Sequence, residues 1–278
     1  MRSTDALWRV VTTDGHQRLL LVEASDVVRQ MASAHELRGA AARLAGELAI
    51  ANVLMSAWIK GDERLSLQLQ SERPRASFMG EIDAEGAFRG RFSPVAVPEA
   101  DTVRGLLLAI KSDASSELYR GITEIADESV TVALQRHLTQ SDQLGARVGI
   151  EVVLEGDEVV AAHGVLIERL PGGSSDDLDL LAGIIDELPW TEVLACVEAG
   201  QMLAFDLTLL DERPLAWRCR CDVERVRMML RSLGPQELHA MIAEDHGAAV
   251  ACHFCATVYR FDEAELGSLL LSSHAAEA

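Results

Sequence analysis

Four cysteines in two close pairs constrain this chain more than any other feature. Cys219 and Cys221 lie in Arg-Cys-Arg-Cys, Cys252 and Cys255 in Cys-His-Phe-Cys, and thirty residues separate the pairs. A CxC and a CxxC spaced in this way can bring four soft thiolates around one tetrahedral zinc ion. The segment that holds them, 214–278, has few large apolar groups, whereas thiolate ligation of zinc contributes about 10–16 kcal/mol of folding free energy in small peptides. The pattern therefore predicts a small domain folded around metal, with Cys219, Cys221, Cys252 and Cys255 as ligands and one zinc ion per chain in the reduced state. Arg218, Arg220, Arg225 and Arg260 lie near the ligands in sequence, and positive charge there is expected to favour thiolates.

Other candidates are weaker. His239, His246 and His253 could each replace a thiolate, but four sulfurs already fill the tetrahedron, so a solvated or supporting place is expected for them. Cys196 stands alone in a predicted amphipathic helix and reads as a small buried hydrophobe. The CxxC has no βαβ surroundings of the thioredoxin kind, which would also leave the CxC unexplained. Two functions stay open for the site at this point. One is a closed structural zinc ribbon with no chemistry. The other is an oxidant sensor, in which a thiolate is oxidised to a sulfenic acid that a neighbouring thiol captures.

Charge and motif content exclude several classes. The formal net charge is −19, and Lys60 and Lys111 are the only lysines. Nucleic-acid binding draws its strength from Lys and Arg on phosphates, so a nucleic-acid partner is not expected. The chain has no GxxxxGK[ST], HExxH, GxSxG or GxGxxG motif, and His16, His35, His137 and His163 are scattered. No enzyme is expected. The first residues contain no apolar core before a cleavage site, and the longest apolar run, Leu48 to Ile59, is short for a bilayer. A cytoplasmic, reducing setting without a membrane partner is the expectation, and there paired cysteines are more often ligands or sensors than permanent disulfides.

The 278 residues, 49% of them hydrophobic, suffice for one large domain and a smaller one. Short β-rich or alternating segments at Leu7–Thr12, Leu19–Glu23, Leu65–Gln70, Phe78–Ile82 and Ala87–Phe92 read as strands. Glu36 to Ile59 reads as a helix whose second half is apolar on every face, as in a helix buried inside a domain. A further helix is predicted at Val130–Thr139, and a strand pair at Val148–Leu154 and Val159–Leu170. Pro171 to Asp177, Pro-Gly-Gly-Ser-Ser-Asp-Asp, marks the clearest boundary. Two acidic amphipathic segments follow, at about Leu178–Glu187 and Thr191–Glu198. The predicted class is α+β: an N-terminal domain of mixed β-sheets packed with a buried helix over 1–172, a helical linker over 173–213, and a small C-terminal zinc-binding domain over 214–278.

At this level the chain resembles the redox-regulated heat-shock chaperones of the 33-kilodalton class. The resemblance rests on Cys-Arg-Cys, the thirty-residue gap and Cys-His-Phe-Cys. It extends to Asp222-Val223-Glu224-Arg225, Ile242-Ala243-Glu244-Asp245 and Tyr259-Arg260-Phe261. In the N-terminal part it includes Gln68-Leu69-Gln70 with Pro74, Phe88-Arg89-Gly90, Tyr119-Arg120-Gly121, Gln140-Ser141-Asp142-Gln143 and Leu166 to Pro171. The chain departs from the family at Ser71-Glu72-Arg73, where a glycine-containing turn is usual, at His163, and at Ala256, where Gly or Asn is frequent. The resemblance implies an ATP-independent holdase for unfolded client proteins, inactive when reduced and zinc-bound, and a homodimer when active. It also implies disulfides Cys219–Cys221 and Cys252–Cys255 on oxidation, then loss of zinc, collapse of the C-terminal module and release of the linker. The alternative is a constitutive interaction protein with a purely structural four-cysteine zinc ribbon.

Overall fold

The computed structural model describes residues 5–94, 102–140 and 145–274. Ser141, Asp142 and Gln143 of the family-like stretch lie outside them. The chain divides into two compact units, Met1–Arg218 and Cys219–Ala278.

The first unit opens with strands β1 (Ala6–Thr12) and β2 (Gln17–Glu23), then helices α1 (Ser25–Ala34) and α2 (Gly39–Met55). Strands β3 (Arg64–Arg73), β4 (Arg75–Asp83), β5 (Ala87–Pro94), β6 (Val103–Ser112) and β7 (Glu117–Glu128) follow. Next come α3 (Val130–Gln140), β8 (Ala146–Glu155), β9 (Glu158–Arg169), α4 (Ser175–Glu187) and α5 (Trp190–Ala199). The unit closes with β10 (Gln201–Met202), β11 (Phe205–Pro214) and β12 (Ala216–Trp217). One sheet has the order β10-β11-β1-β2-β9-β8 and is antiparallel throughout. The other has the order β12-β5-β4-β3-β6-β7, and only the β12–β5 pair is parallel.

Helix α2 is the centre of this unit. Its Ala, Leu and Ile are good helix formers or pack well, and every residue from Leu48 to Ala57 is buried. It lies between the two sheets, in one apolar cluster with Leu7, Leu20 and Leu166 of the first and Leu67, Phe78 and Leu107 of the second. Close approach is possible because Gly164 sits opposite: a Cβ there would lie 2.4 Å from Ile50 Cγ2. The Gly39–Trp58 stretch is long and apolar enough to cross a membrane, but 78% of its most apolar window is buried inside the protein. The helix lies within the expected Glu36 to Ile59 stretch and is shorter than it, and the two sheets supply its apolar surroundings.

The opposite face of the first sheet carries a second core. Trp8, Val10, Leu19, Leu21, Val165 and Ile167 pack there against Leu178, Leu181, Ile185, Val193 and Val197 of α4 and α5. Residues 173–213 therefore supply the two expected helices and, in addition, strand β11, whose ladder runs along β1 from Thr12↔Leu207 to Ala6↔Pro214. Ser174 caps α4 by accepting from Asp177 N at 3.0 Å, as an N-cap serine does. Arg147 Nη2 holds Asp179 Oδ1 at 2.5 Å.

The second unit contains α6 (Val223–Ser232), α7 (Pro235–Glu244), the hairpin β13 (Gly247–Ala251) and β14 (Val258–Asp262), and α8 (Glu263–His274). Its buried apolar core is small: Val226, Leu230, Leu238, Phe261, Leu266, Leu269 and Leu270.

Helix α1 is not announced by the sequence pattern, and its start explains why. Ala24 at the N-cap makes no side-chain bond. The capping carboxylate is distant in sequence: Asp5 accepts from Asp26 N at 3.1 Å and Val27 N at 2.6 Å. Burial pushes the Asp5 carboxyl up to about 6, against the pull of those two amides, with the Asp26 and Glu23 charges adding to the rise. The folded chain thus keeps a proton between about pH 4 and 6 that the unfolded chain has lost, so this group's stabilisation is complete below pH 4 and lost as pH rises through 6. Urea unfolding at pH 5 and 7 should show the wild type losing about 1 kcal/mol more than Asp5→Asn over that interval.

Candidate metal centre

Two irregular segments of the second unit carry the cysteines. Cys219 and Cys221 precede α6, whose first turn is fixed by Asp222 accepting from Arg225 N at 2.8 Å. Cys252 and Cys255 form the turn of the β13–β14 hairpin, closed by Cys252 N to Thr257 O at 2.9 Å and Ala256 N to Cys252 O at 2.8 Å. Closing that turn places Ala256 at φ +57°. For a residue with a Cβ this left-handed conformation costs about 1–2 kcal/mol, which glycine would avoid. By contrast, neither Ser71 nor His163 has positive φ, and each lies in a strand.

The four Sγ atoms all lie within 4.8 Å of one another. Cys219 Sγ is 3.7 Å from Cys252 Sγ, and Cys221 Sγ is 3.4 Å from Cys255 Sγ. A tetrahedral ion with metal–sulfur bonds of about 2.3 Å requires sulfur separations of about 3.8 Å, whereas a disulfide requires about 2.05 Å. The cluster has the dimensions of an ion site, and all four thiols are unbridged and half-buried.

Their protonation shows what such a cluster demands. Burial pushes the Cys219 thiol up, and burial with the neighbouring sulfurs pushes Cys221 up to about 12 despite the Tyr259 hydroxyl. At Cys255 burial also acts upward, but Thr257, through its hydroxyl and backbone, and the other sulfurs outweigh it and bring the group down to about 7. Four adjacent thiols do not ionise together near neutrality, because each thiolate opposes the next. A divalent cation removes that obstacle, and the donor set is all-sulfur, which suits zinc or another thiophilic ion. The four cysteines could therefore hold a metal ion.

Two of the four arginines near the ligands in sequence pair with carboxylates. Arg225 Nε is turned to Asp222 at 3.3 Å, and Arg218 lies 3.5 Å from Glu85. Tyr259 is the group that sequence reasoning passed over. It sits on β14 and donates its hydroxyl to Cys221 Sγ at 3.2 Å, and that hydrogen bond, with burial, pushes the phenol's pKa up. The signal was present in Tyr259-Arg260-Phe261, since strand alternation puts Tyr259 and Phe261 on one face. His239, His246 and His253 stand outside the cluster, and His246 Nδ1 is 2.9 Å from Glu263 Oε1. Cys196 is half-buried on α5 beside the second core.

Comparison with known proteins adds relatives along almost the entire chain. The profile of the family described as Hsp33 protein matches residues 5–262. A protein of Levilactobacillus brevis called 33 kDa chaperonin is 27% identical over 98% of this chain and 99% of its own length. One of the same name from Syntrophotalea carbinolica is 30% identical over 96% and 99%. Among solved structures, the 33 kDa chaperonin of Thermotoga maritima superposes with a TM-score of 0.85, covering 98% of this chain and all of its own, at 20% identity. That likeness shows the fold.

Tyr259→Phe keeps the ring and removes the donor to Cys221. It is expected to weaken binding of cobalt(II), followed by its thiolate charge-transfer absorption, about tenfold, as loss of a partner to a ligand does.

Proposed function

Because the chain belongs to the Hsp33 family, we propose that it is a redox-regulated, ATP-independent chaperone, a holdase for unfolding proteins under oxidative stress. The family is one of chaperones, not enzymes. The observation that carries the regulatory reading is the gathering of four thiols within 4.8 Å. In the proposed resting state Cys219, Cys221, Cys252 and Cys255 ligate one zinc ion per chain. Bound zinc supplies the charge that lets four thiolates coexist and cross-links two loops of a unit with a small core.

Activation is proposed to start with a peroxide-class oxidant. A cysteine thiolate attacks the O–O bond and becomes a sulfenic acid while hydroxide leaves. A neighbouring thiol then attacks that sulfur, forming the disulfide and releasing water. Two peroxides thus convert four thiols into two disulfides. Disulfide sulfurs no longer serve as thiolate donors, so the interaction that folds 214–278 is lost. The proposed bridges are Cys219–Cys221 and Cys252–Cys255. In the folded unit two close sulfur contacts, of 3.7 and 3.4 Å, run across the motifs, between residues 33 and 34 positions apart in sequence. Once the unit loosens, loop closure favours the near neighbours within each motif.

The proposed organisation is a core over 1–172, a linker over 173–213 and a switch over 214–278. Undocking of α4 and α5 would uncover Trp8, Val10, Leu19, Leu21, Val165 and Ile167, and a contiguous apolar face of this kind binds unfolded chains. Acidic residues along the linker, Asp176, Asp177, Asp186 and Glu187 among them, would keep the client complex in solution. The active form is proposed to be a homodimer in the cytoplasm. The −19 charge supports a protein client over a nucleic acid.

The test follows zinc release and aggregation of a denatured client together, before and after peroxide at raised temperature. One zinc released per chain with a gain of holdase activity that dithiothreitol reverses is expected, and Cys252→Ser should abolish the oxidant dependence. Zinc loss with no gain of client binding would leave a structural ribbon in place of a switch.

A further inference from the structure

One residue of the 173–213 segment is bound in a manner unlike its neighbours. Trp190, the first residue of α5, is held at both its edge and its face. Its Nε1–H donates to Glu23 Oε2 at 2.8 Å. Its ring stacks on the imidazole of His163, with centroids 4.6 Å apart and planes 11° from parallel. His163 Nε2 is in turn 2.8 Å from Glu151 Oε2.

These partners are a row built into the first sheet. Glu23 on β2 is register partner to His163 on β9, and His163 to Glu151 on β8. The row lies on the face that carries Leu21 and Val165. Glu23 is only 5% exposed. Its other oxygen is already committed: Oε1 accepts from Ser25 N at 3.2 Å and from the Ser25 hydroxyl, which itself accepts from Ala162 N at 2.9 Å. Glu23 Oε2 is thus a fixed acceptor beside a flat ring. That combination is complementary to an aromatic group with an N–H at its edge. Phenylalanine would fill the space and leave Oε2 without its donor, which a buried acceptor resists.

We propose that the first unit carries an indole-binding slot, formed by Glu23 and His163 with Glu151 orienting the imidazole, and that the chain's own Trp190 occupies it. Occupancy of the slot pins the start of α5 to the sheet. On the proposed reading of the protein as a switched holdase, on which only this regulatory role rests, the slot is the point that must empty before the apolar face is uncovered. Val193 and Val197 follow Trp190 at helical spacing on the buried side of α5, so losing the pin frees the rest of the helix to lift.

The experiment uses the full-length, reduced, metal-loaded chain and hydrogen exchange resolved to 190–199. Trp190→Ala should raise exchange there on the order of tenfold or more, the factor set by losing one hydrogen bond to a charged group. Exchange in β13 and β14 should stay unchanged. Free indole, titrated by calorimetry, should bind Trp190→Ala, leave the wild type untouched, and restore protection. Trp190→Phe, a milder change, should raise exchange less and take up no indole. Unchanged exchange in Trp190→Ala, or loosening that indole neither binds to nor reverses, would overturn the slot. Neither readout involves oxidant or client. A confirmed slot in a chain that never gains holdase activity on oxidation would therefore refute the function and leave the slot standing. A holdase with unchanged exchange in Trp190→Ala would do the reverse.

Discussion

Four crowded, half-buried sulfurs that do not all ionise unaided are the constraint on which the C-terminal unit depends. The hairpin turn and the loop before α6 bring the sulfurs together, yet burial pushes the Cys219 and Cys221 thiols up, while Cys255 is drawn down to about 7. A bound cation would turn this arrangement from a liability into a cross-link. The apolar residues around it form a small cluster, so little else compensates when that cross-link is lost. A unit organised in this way is well suited to a change in sulfur chemistry that becomes a change in fold.

The first unit shows a complementary division. One face of its first sheet packs on α2, enclosed between two sheets. The other face packs on two short helices, of 13 and 10 residues. Isolated helices of this length are marginal in water. They persist because they cover the sheet, and the sheet's apolar face stays covered because they persist. Strand β11 is tied differently, by a backbone ladder along β1. The helices α4 and α5 are therefore the part of 173–213 held to the sheet by side chains and not by a backbone ladder.

Much of this was legible in the sequence because it depended on local pattern. The apolar run of α2, the alternation in β3 and β4, and the CxC and CxxC each announce their environment. Besides the local hairpins β6–β7 and β13–β14, what escaped was long-range. Helix α1 is capped by Asp5 from about twenty residues away. Strand β11 exists because β1 offers an edge. The reach of Tyr259 to Cys221 depends on how the hairpin folds against the loop. Proximity in sequence is also a weak guide to where a charge goes: Arg225 pairs with Asp222. Trp190 and His163 are 27 positions apart in sequence and carry no motif, so only the register of β2, β9 and β8 reveals their pairing.

The claim at the centre of this account is that the thiolate cluster and its ion hold 219–274 folded. Hydrogen exchange of the full-length reduced chain, with bound metal and after chelation, tests it most directly. The account predicts that amides of α6, α7, α8 and the β13–β14 hairpin lose protection on chelation while α2 and strands β1 to β9 keep theirs. Protection retained throughout the C-terminal unit after the metal is removed would contradict it.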